Sequence, residues 1–272
     1  AATDWKNSNW ECLDSPIIVM PPKNHKSKPS SIFLDLLKIV VILALIANFG
    51  CCATAETKTD EVTFEPMSCE WMQHCSKKKE GTPPLLIISS DGFAHDYLNE
   101  EDTPNILKIA ECGSQAEHLI PSFPVKTFSN HYTIATGLYP SNNGVVDNRF
   151  WTTEGAEFDQ TNGSFFNGEP IWNTVVKNGK VAKVMMWMGS YDSINGIAAT
   201  FHHNKYSKVS SIEKLENVTD WLISDSPPDL AMVYIQDPDE AGHHYGPGTK
   251  EVRDSTKKVD RHIRYIFEKL HK

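Results

Sequence analysis

From residue 85 onward the chain alternates short apolar runs with stretches of helical periodicity, and this alternation restricts the fold more than any other feature. Strands that alternate with helices pair in parallel and are covered by those helices. Residues 85–88, 181–187 and 230–235 read as buried strands. Thr103-Pro104 opens a helix as N-cap and first residue, and Cys112-Gly113 closes it. Ser210-Ser211-Ile212-Glu213 spells a capping box, with Ile212, Leu215, Val218 and Leu222 on the inward face of the helix behind it. A last amphipathic helix covers residues 251–271, with Val252, Val259, Ile263, Ile266 and Leu270 inward. The expected class is α/β, a mostly parallel sheet flanked by helices.

The 272 residues are 40% hydrophobic, enough for one sizeable core, and carry a formal charge of −9. An acidic chain with no interleaved basic and aromatic stripe repels phosphate backbones, which removes nucleic-acid duplexes from the partners considered. Ordinary Gly and Pro usage with plentiful aromatics removes collagenous and disordered classes.

Residues 32–52 are the most apolar stretch, interrupted by Asp35, Lys38 and Asn48. The length suits a membrane helix, and a signal-peptide core cleaved at the small residues 53–55 is the alternative. The 31 residues ahead of it favour an uncleaved signal-anchor. Lys23, Lys26 and Lys28 precede the stretch, whereas Glu56, Asp60, Glu61 and Glu65 follow it, so the N-terminus is placed in the cytosol. The expected organisation is a cytoplasmic tail over residues 1–31, a single type II span over 32–52, an exposed stem over 53–82, and an extracellular or lumenal domain over 83–272. The sequons at Asn162 and Asn217 fall on the exported side. Cys69, Cys75 and Cys112 then lie in an oxidising compartment, with a Cys69 to Cys75 or a stem-to-domain bridge both open.

In parallel sheets ligands gather beyond the carboxyl ends of the strands. Two strand candidates run into polar text there. Residues 85–90 lead into Asp91-Gly92, which a plain turn also explains. Residues 230–235 lead into Gln236-Asp237-Pro238-Asp239-Glu240-Ala241-Gly242-His243-His244, where Asp239 and His243 share a face if the segment is helical and offer a carboxylate and an imidazole to zinc. A solvated acidic loop is the bland alternative. A third cluster, Lys126-Thr127-Phe128-Ser129-Asn130-His131, precedes a helix ending near Gly137, and a hydroxyl at a helix start suits binding or attacking phosphate. Ordinary N-capping by Thr127 is the competing explanation.

These clusters, with Ser90-Asp91-Gly92-Phe93, Pro124-Val125-Lys126-Thr127-Phe128-Ser129-Asn130-His131-Tyr132, Thr136-Gly137-Leu138-Tyr139-Pro140, Gly144-Val145-Val146-Asp147-Asn148, Gly168-Glu169-Pro170-Ile171-Trp172 and the residues 237–247, resemble the nucleotide pyrophosphatase/phosphodiesterase family of the alkaline phosphatase superfamily. The resemblance covers residue 85 to the end, in the family's order, and the tail, span and stem look like its type II membrane members. It implies an alkaline-phosphatase-like sheet and hydrolysis of nucleotide phosphodiester or pyrophosphate bonds through a phosphothreonine intermediate. Two Zn2+ ions are implied, one held by Asp91 and Thr127, the other by Asp239 and His243, with Thr127 as nucleophile. Asn148 matches the donor to a non-bridging phosphate oxygen. Phe128 and Tyr206 match positions that sandwich a nucleobase, Tyr234 a further pocket wall, and Lys126 belongs to the same substrate-binding set. Asp237 and His244 are expected to stand behind the metal ligands, and Asn130 and His131 to brace the nucleophile turn. Ser129 departs from the family's usual proline.

Three further ligands in the family, an Asp-His pair and a distant His, have no counterpart here, so the remaining ligands are expected beyond residue 272. The expectation is a truncated chain, inactive by itself, whose strand ending at Ile235 has no downstream neighbour in the sheet and so keeps an unpaired edge. Two rival functions are a phospholipid or choline phosphodiesterase with the same metal core, and an inactive membrane-anchored binding protein.

Overall fold

The computed structural model describes residues 17–18, 67–69, 83–202 and 209–271. The expected span, most of the expected tail and stem, and Tyr206 lie outside the described residues, whereas Ile17–Ile18 of the expected tail are described. The chain divides into two units, residues 1–23 with 67–272, and residues 24–66, the second wholly outside the described residues. Among the described residues no helix is long and apolar enough to cross a membrane.

Six strands are present among the described residues: β1 (Ile17–Ile18), β2 (Leu85–Ser90), β3 (Ser114–Gln115), β4 (Ala182–Met185), β5 (Phe201–His202) and β6 (Leu230–Ile235). The helices are α1 (Pro104–Cys112), α2 (Thr127–Thr136), α3 (Pro140–Asn143), α4 (Ile171–Lys177), α5 (Ser211–Ile223), α6 (Asp239–Tyr245) and α7 (Lys250–His271). The main sheet has the order β2-β6-β4-β5 and is parallel throughout. β1 and β3 form a separate two-residue parallel pair.

The alternation of side chains along β6 explains why the run from Leu230 to Ile235 is apolar without a break. Leu230, Met232 and Tyr234 enter one core with Tyr132 of α2 and Trp172 of α4, whereas Ala231, Val233 and Ile235 enter another with Ile109 of α1, Leu215 and Val218 of α5, and Val259, Ile263 and Ile266 of α7. Every residue of β6 is buried. This corrects the expectation of an exposed, unpaired edge on this strand: Leu230–Ile235 pair with β2 on one side and Leu230–Val233 with β4 on the other, both neighbours being earlier in the chain. Non-local pairing of this kind leaves no mark on the strand's own sequence.

Helix ends follow the expected signals in part. Ser210 caps α5, its hydroxyl accepting from the Glu213 N–H at 3.3 Å. Thr103 precedes α1 but does not cap it: its hydroxyl donates to the Tyr97 and Asn99 carbonyls, tying down the loop ahead of the helix. The α1 N-terminus is served from a distance by Asp260 of α7, which accepts from the Ile106 N–H at 2.9 Å and from Asn105 Nδ2 at 2.6 Å. Leu270, expected inward, is exposed at the last turn of α7. Cys69 is bonded to Cys112, which settles the pairing as a bridge into the domain, and Met67 beside it is buried in the core of α1, α5 and α7. At these residues the segment expected as exposed stem is packed on the domain.

Candidate active site

The adjacent strands β2 and β6 end side by side, with Ser90 opposite Ile235, and the loops that follow carry the candidate donors. The Asp91 N–H bonds to the Ile235 carbonyl at 3.0 Å and the Asp239 N–H to the Asp91 carbonyl at 3.1 Å, so the two loops are sewn together by backbone. Gly92 is required at their crossing. It has φ +66°, and a Cβ there would stand 2.6 Å from Asp239 Cα. The Asp91-Gly92 turn is therefore a close approach between loops and not a plain surface turn.

Thr127 is the first residue of α2 and Lys126 is its N-cap, so Thr127 does not cap the helix. Its hydroxyl donates to Asp91 Oδ2 at 3.1 Å. The same carboxylate oxygen accepts from the Tyr234 hydroxyl at 2.9 Å, and Oδ1 accepts from the Gly92 N–H. Tyr234, expected as a pocket wall, is only 2% exposed and serves instead as a donor to Asp91 from inside the core.

The start of α2 is held from two directions. Asn130 accepts from the Ser122 N–H and hydroxyl and donates to the carbonyls of Ser122, Pro124 and Lys126, clamping the loop that delivers Thr127. His131 Nδ1 lies 2.7 Å from the Thr127 carbonyl and Nε2 lies 2.8 Å from the Ser89 hydroxyl. A carbonyl only accepts, so Nδ1 carries the proton and Nε2 takes the serine's. Burial pushes the His131 pKa below the ordinary histidine range against the opposing pull of Asp91, in keeping with a neutral ring. Ser129 is fully buried and its hydroxyl has no hydrogen-bond partner among the described residues; α2 forms with serine in the place of proline.

Asn148 Oδ1 accepts from the Phe128 N–H at 2.9 Å. The acceptor end of the amide is thus spoken for by a first-turn N–H that lacks an intrahelical partner, which orients Nδ2 as the donor end. The Asp147 carboxylate stands 3.9 Å from Lys126 Nζ and accepts from the Asn148 N–H, so Lys126, Asp147 and Asn148 form one rim beside Thr127. Phe128 is half-buried against Phe158 at 6.2 Å between ring centroids. Tyr206, its expected partner around a base, is outside the described residues.

Asp239 and His243 do share a face of α6, with His243 Nε2 3.4 Å from Asp239 Oδ2. Burial, and then the charge of Asp91, push the Asp239 carboxyl above its usual range, and His243 opposes them. A cation beside the two carboxylates would relieve this repulsion. Carboxylate oxygens, a hydroxyl and an imidazole are ligands that zinc takes, so the donor chemistry fits the expected metal. The donors are arranged as two pairs, and among the described residues no group of three or more His, Cys, Asp or Glu converges to form a metal cage. Asp237 faces away from the pairs: its carboxylate accepts from Ser211 and Ser255 hydroxyls and lies 3.5 Å from Lys258, and its carbonyl accepts from Ser90. It anchors the loop from behind. His244 is exposed, its Nδ1 2.8 Å from the Glu240 carbonyl.

The arrangement is that of an α/β protein whose parallel strands present a helix-start hydroxyl and paired carboxylates at their carboxyl ends, a setting suited to cations and phosphate. The chain belongs to the type I phosphodiesterase/nucleotide pyrophosphatase family, whose profile matches residues 85–272. It is 36% identical over 199 residues to venom phosphodiesterase 2 of Crotalus adamanteus, an alignment that covers 69% of this chain and 24% of that protein. It is 34% identical over 200 residues to ectonucleotide pyrophosphatase/phosphodiesterase family member 3 of Bos taurus, covering 69% of this chain and 23% of the relative. The fold matches murine ectonucleotide pyrophosphatase/phosphodiesterase 5, solved as an inactive variant in complex with AMP, with a TM-score of 0.65 at 27% identity over 70% of this chain and 52% of that one. The chain thus spans about a quarter of the length of the curated relatives it matches.

Proposed function

We propose that the native gene product hydrolyses nucleotide phosphodiester or pyrophosphate bonds with Thr127 as nucleophile. The observation that carries this reading is the Thr127 hydroxyl at the start of α2, bonded to Asp91 and flanked by the oriented amide of Asn148. Zn2+ held by Asp91 with Thr127, and by Asp239 with His243, would supply charge that makes the hydroxyl more acidic and the phosphate more electrophilic. The residues do the rest. Asp91 aims the hydroxyl, and Tyr234 in turn fixes Asp91. Thr127 Oγ attacks phosphorus as the bond to the leaving oxygen breaks, giving a phosphothreonine. Water then cleaves the phosphothreonine and restores the hydroxyl. Asn148 Nδ2 and first-turn N–H groups of α2 receive the charge on the non-bridging oxygens. Lys126, Phe128 and Tyr206 bind the nucleotide, Lys126 by charge and the aromatics by stacking. Sequence relatives named phosphodiesterases and a structural relative bound to AMP support the substrate class.

The same reading includes an extracellular or lumenal location for the domain. Three observations support it: Asn162 and Asn217 are both exposed, as glycan acceptors must be, and Cys69 is oxidised to Cys112. The test is turnover of a chromogenic nucleotide ester by the product stripped with a chelator and then titrated with zinc. Activity is expected to vanish on stripping and return with zinc; full activity in the stripped protein would overturn the metal assignment.

A further inference from the structure

Lys214 of α5 is the most deeply buried lysine among the described residues, 1% exposed, and the chemistry above does not use it. Its ammonium donates to Gln236 Oε1 at 2.5 Å, at the residue where β6 gives way to the loop bearing Asp239. It also lies over the ring of Tyr234, 5.4 Å from the centroid. The neighbouring Leu215 and Val218 pack on the other face of the sheet from Tyr234, so the long side chain reaches the ring at the carboxyl end of β6. Asp237 and Glu240 attract the ammonium, but among the described residues no carboxylate forms an ion pair with it, so its burial is costly, and an apolar residue would fill the same space between helix and sheet. Burial indeed lowers its pKa to about 8, which still leaves it mostly cationic at neutral pH.

What the cation reaches is the aromatic ring whose hydroxyl donates to Asp91. The Tyr234 ring is held by three contacts: the ammonium over it, His131 edge-on at 4.9 Å and 89°, and its hydroxyl on Asp91 Oδ2 at 2.9 Å. A cation over a phenol withdraws density from the ring and makes the hydroxyl a stronger donor. We infer that Lys214 is a positioning residue for Asp91, acting through the ring and hydroxyl of Tyr234. Charge on α5 thereby sets how firmly one carboxylate oxygen is held beside Thr127. The inference rests on the reading of Asp91 as a metal ligand only for its consequence, tighter zinc binding; the coupling between Lys214 and Tyr234 stands without metal.

The experiment is a double-mutant cycle on the native product with K214M, Y234F and the pair, together with K214R. Zinc affinity is measured by competition with a chromogenic chelator. The Tyr234 hydroxyl is read, metal-free, from the ring Cζ resonance of 13C-labelled tyrosine, assigned by its absence in Y234F. The expected result is that K214M moves the Tyr234 Cζ resonance and weakens zinc about tenfold, as loss of outer-shell partners does. Y234F weakens zinc to a similar extent, the double variant is no weaker than either single one, and K214R stays near wild type in both readouts. A role in folding alone would leave the Cζ resonance in place and make the two losses multiply, and either result overturns the inference. If the wild-type protein takes up no zinc, the metal reading fails and the Cζ shift alone decides the coupling. Should K214M not fold, K214Q, which keeps a polar end for Gln236 without the charge, carries the same comparison.

Discussion

At the scale of residues, the site is a set of hydrogen bonds that leave each reactive atom one orientation. Asn148 shows this most simply. Its carbonyl is used by the Phe128 N–H, so its amide nitrogen is the end available to phosphate. Asn148→Ala is therefore expected to lower kcat on a nucleotide ester by about 10²- to 10³-fold, the usual effect of removing one preorganised donor, with a much smaller change in KM. A loss confined to KM would place the residue in ground-state binding instead. The placement of Asp91, Thr127 and Asp239 was legible because they sit at a strand end or a helix start, where polar residues interrupt an otherwise apolar pattern, and that of His243 because it follows Asp239 by one helical turn. Tyr234 was not legible in the same way. Within an apolar run it reads as core, and its hydroxyl's partner lies 143 residues away. Ser89, which supports His131, and Ser211 and Ser255, which hold Asp237, were missed for the same reason: each acts on a residue distant in sequence.

At the scale of elements, strand and helix positions follow closely from periodicity, since both sheet faces are covered and every β6 residue is buried. Boundaries depend on partners that periodicity does not register. Thr103 is a good capping residue by type, yet its hydroxyl is bonded to the preceding loop, and Asp260 of α7 supplies α1 instead. Helix α5 carries the clearest exception to its own pattern, since Lys214 is buried beside Leu215. The Lys214 pKa falls from 10.5 to about 8, desolvation being the main cause. Between those values the unfolded chain holds a proton that the folded one has released, so stability rises with pH across the window, by roughly 3 kcal/mol for this group. Denaturant titrations at pH 7.5 and pH 10 are expected to show that rise in wild type and to show it reduced by about that amount in K214M. Equal pH dependence in the two proteins would mean that Lys214 keeps an ordinary pKa.

At the scale of the whole molecule, two constraints hold the site's surroundings in place. The sheet brings β2 and β6 together across more than half the chain, and the Cys69 to Cys112 bridge fastens residues ahead of the domain to the end of α1. The bridge closes a loop with a sequence separation of 43, for which the chain-entropy estimate is about 4 kcal/mol. Selective loss of this bridge, as Cys69→Ser with Cys112→Ser, is expected to lower unfolding free energy by a few kcal/mol in denaturant melts while leaving catalytic constants near wild type, since the bridge ties down the end of α1 and not the loops that carry Asp91, Thr127 and Asp239. An unchanged melt would mean that the bridge contributes nothing to stability.

The most direct measurement of the central claim is acid quenching of the native product during turnover of a nucleotide ester, followed by mass spectrometry of the peptide that contains Thr127. With Thr127 as nucleophile, phosphate or nucleotidyl mass is found on that peptide in wild type, persists at reduced turnover in Thr127→Ser, and is absent with turnover abolished in a folded Thr127→Ala. Wild-type turnover in Thr127→Ala, or adduct on any other residue, would contradict the account.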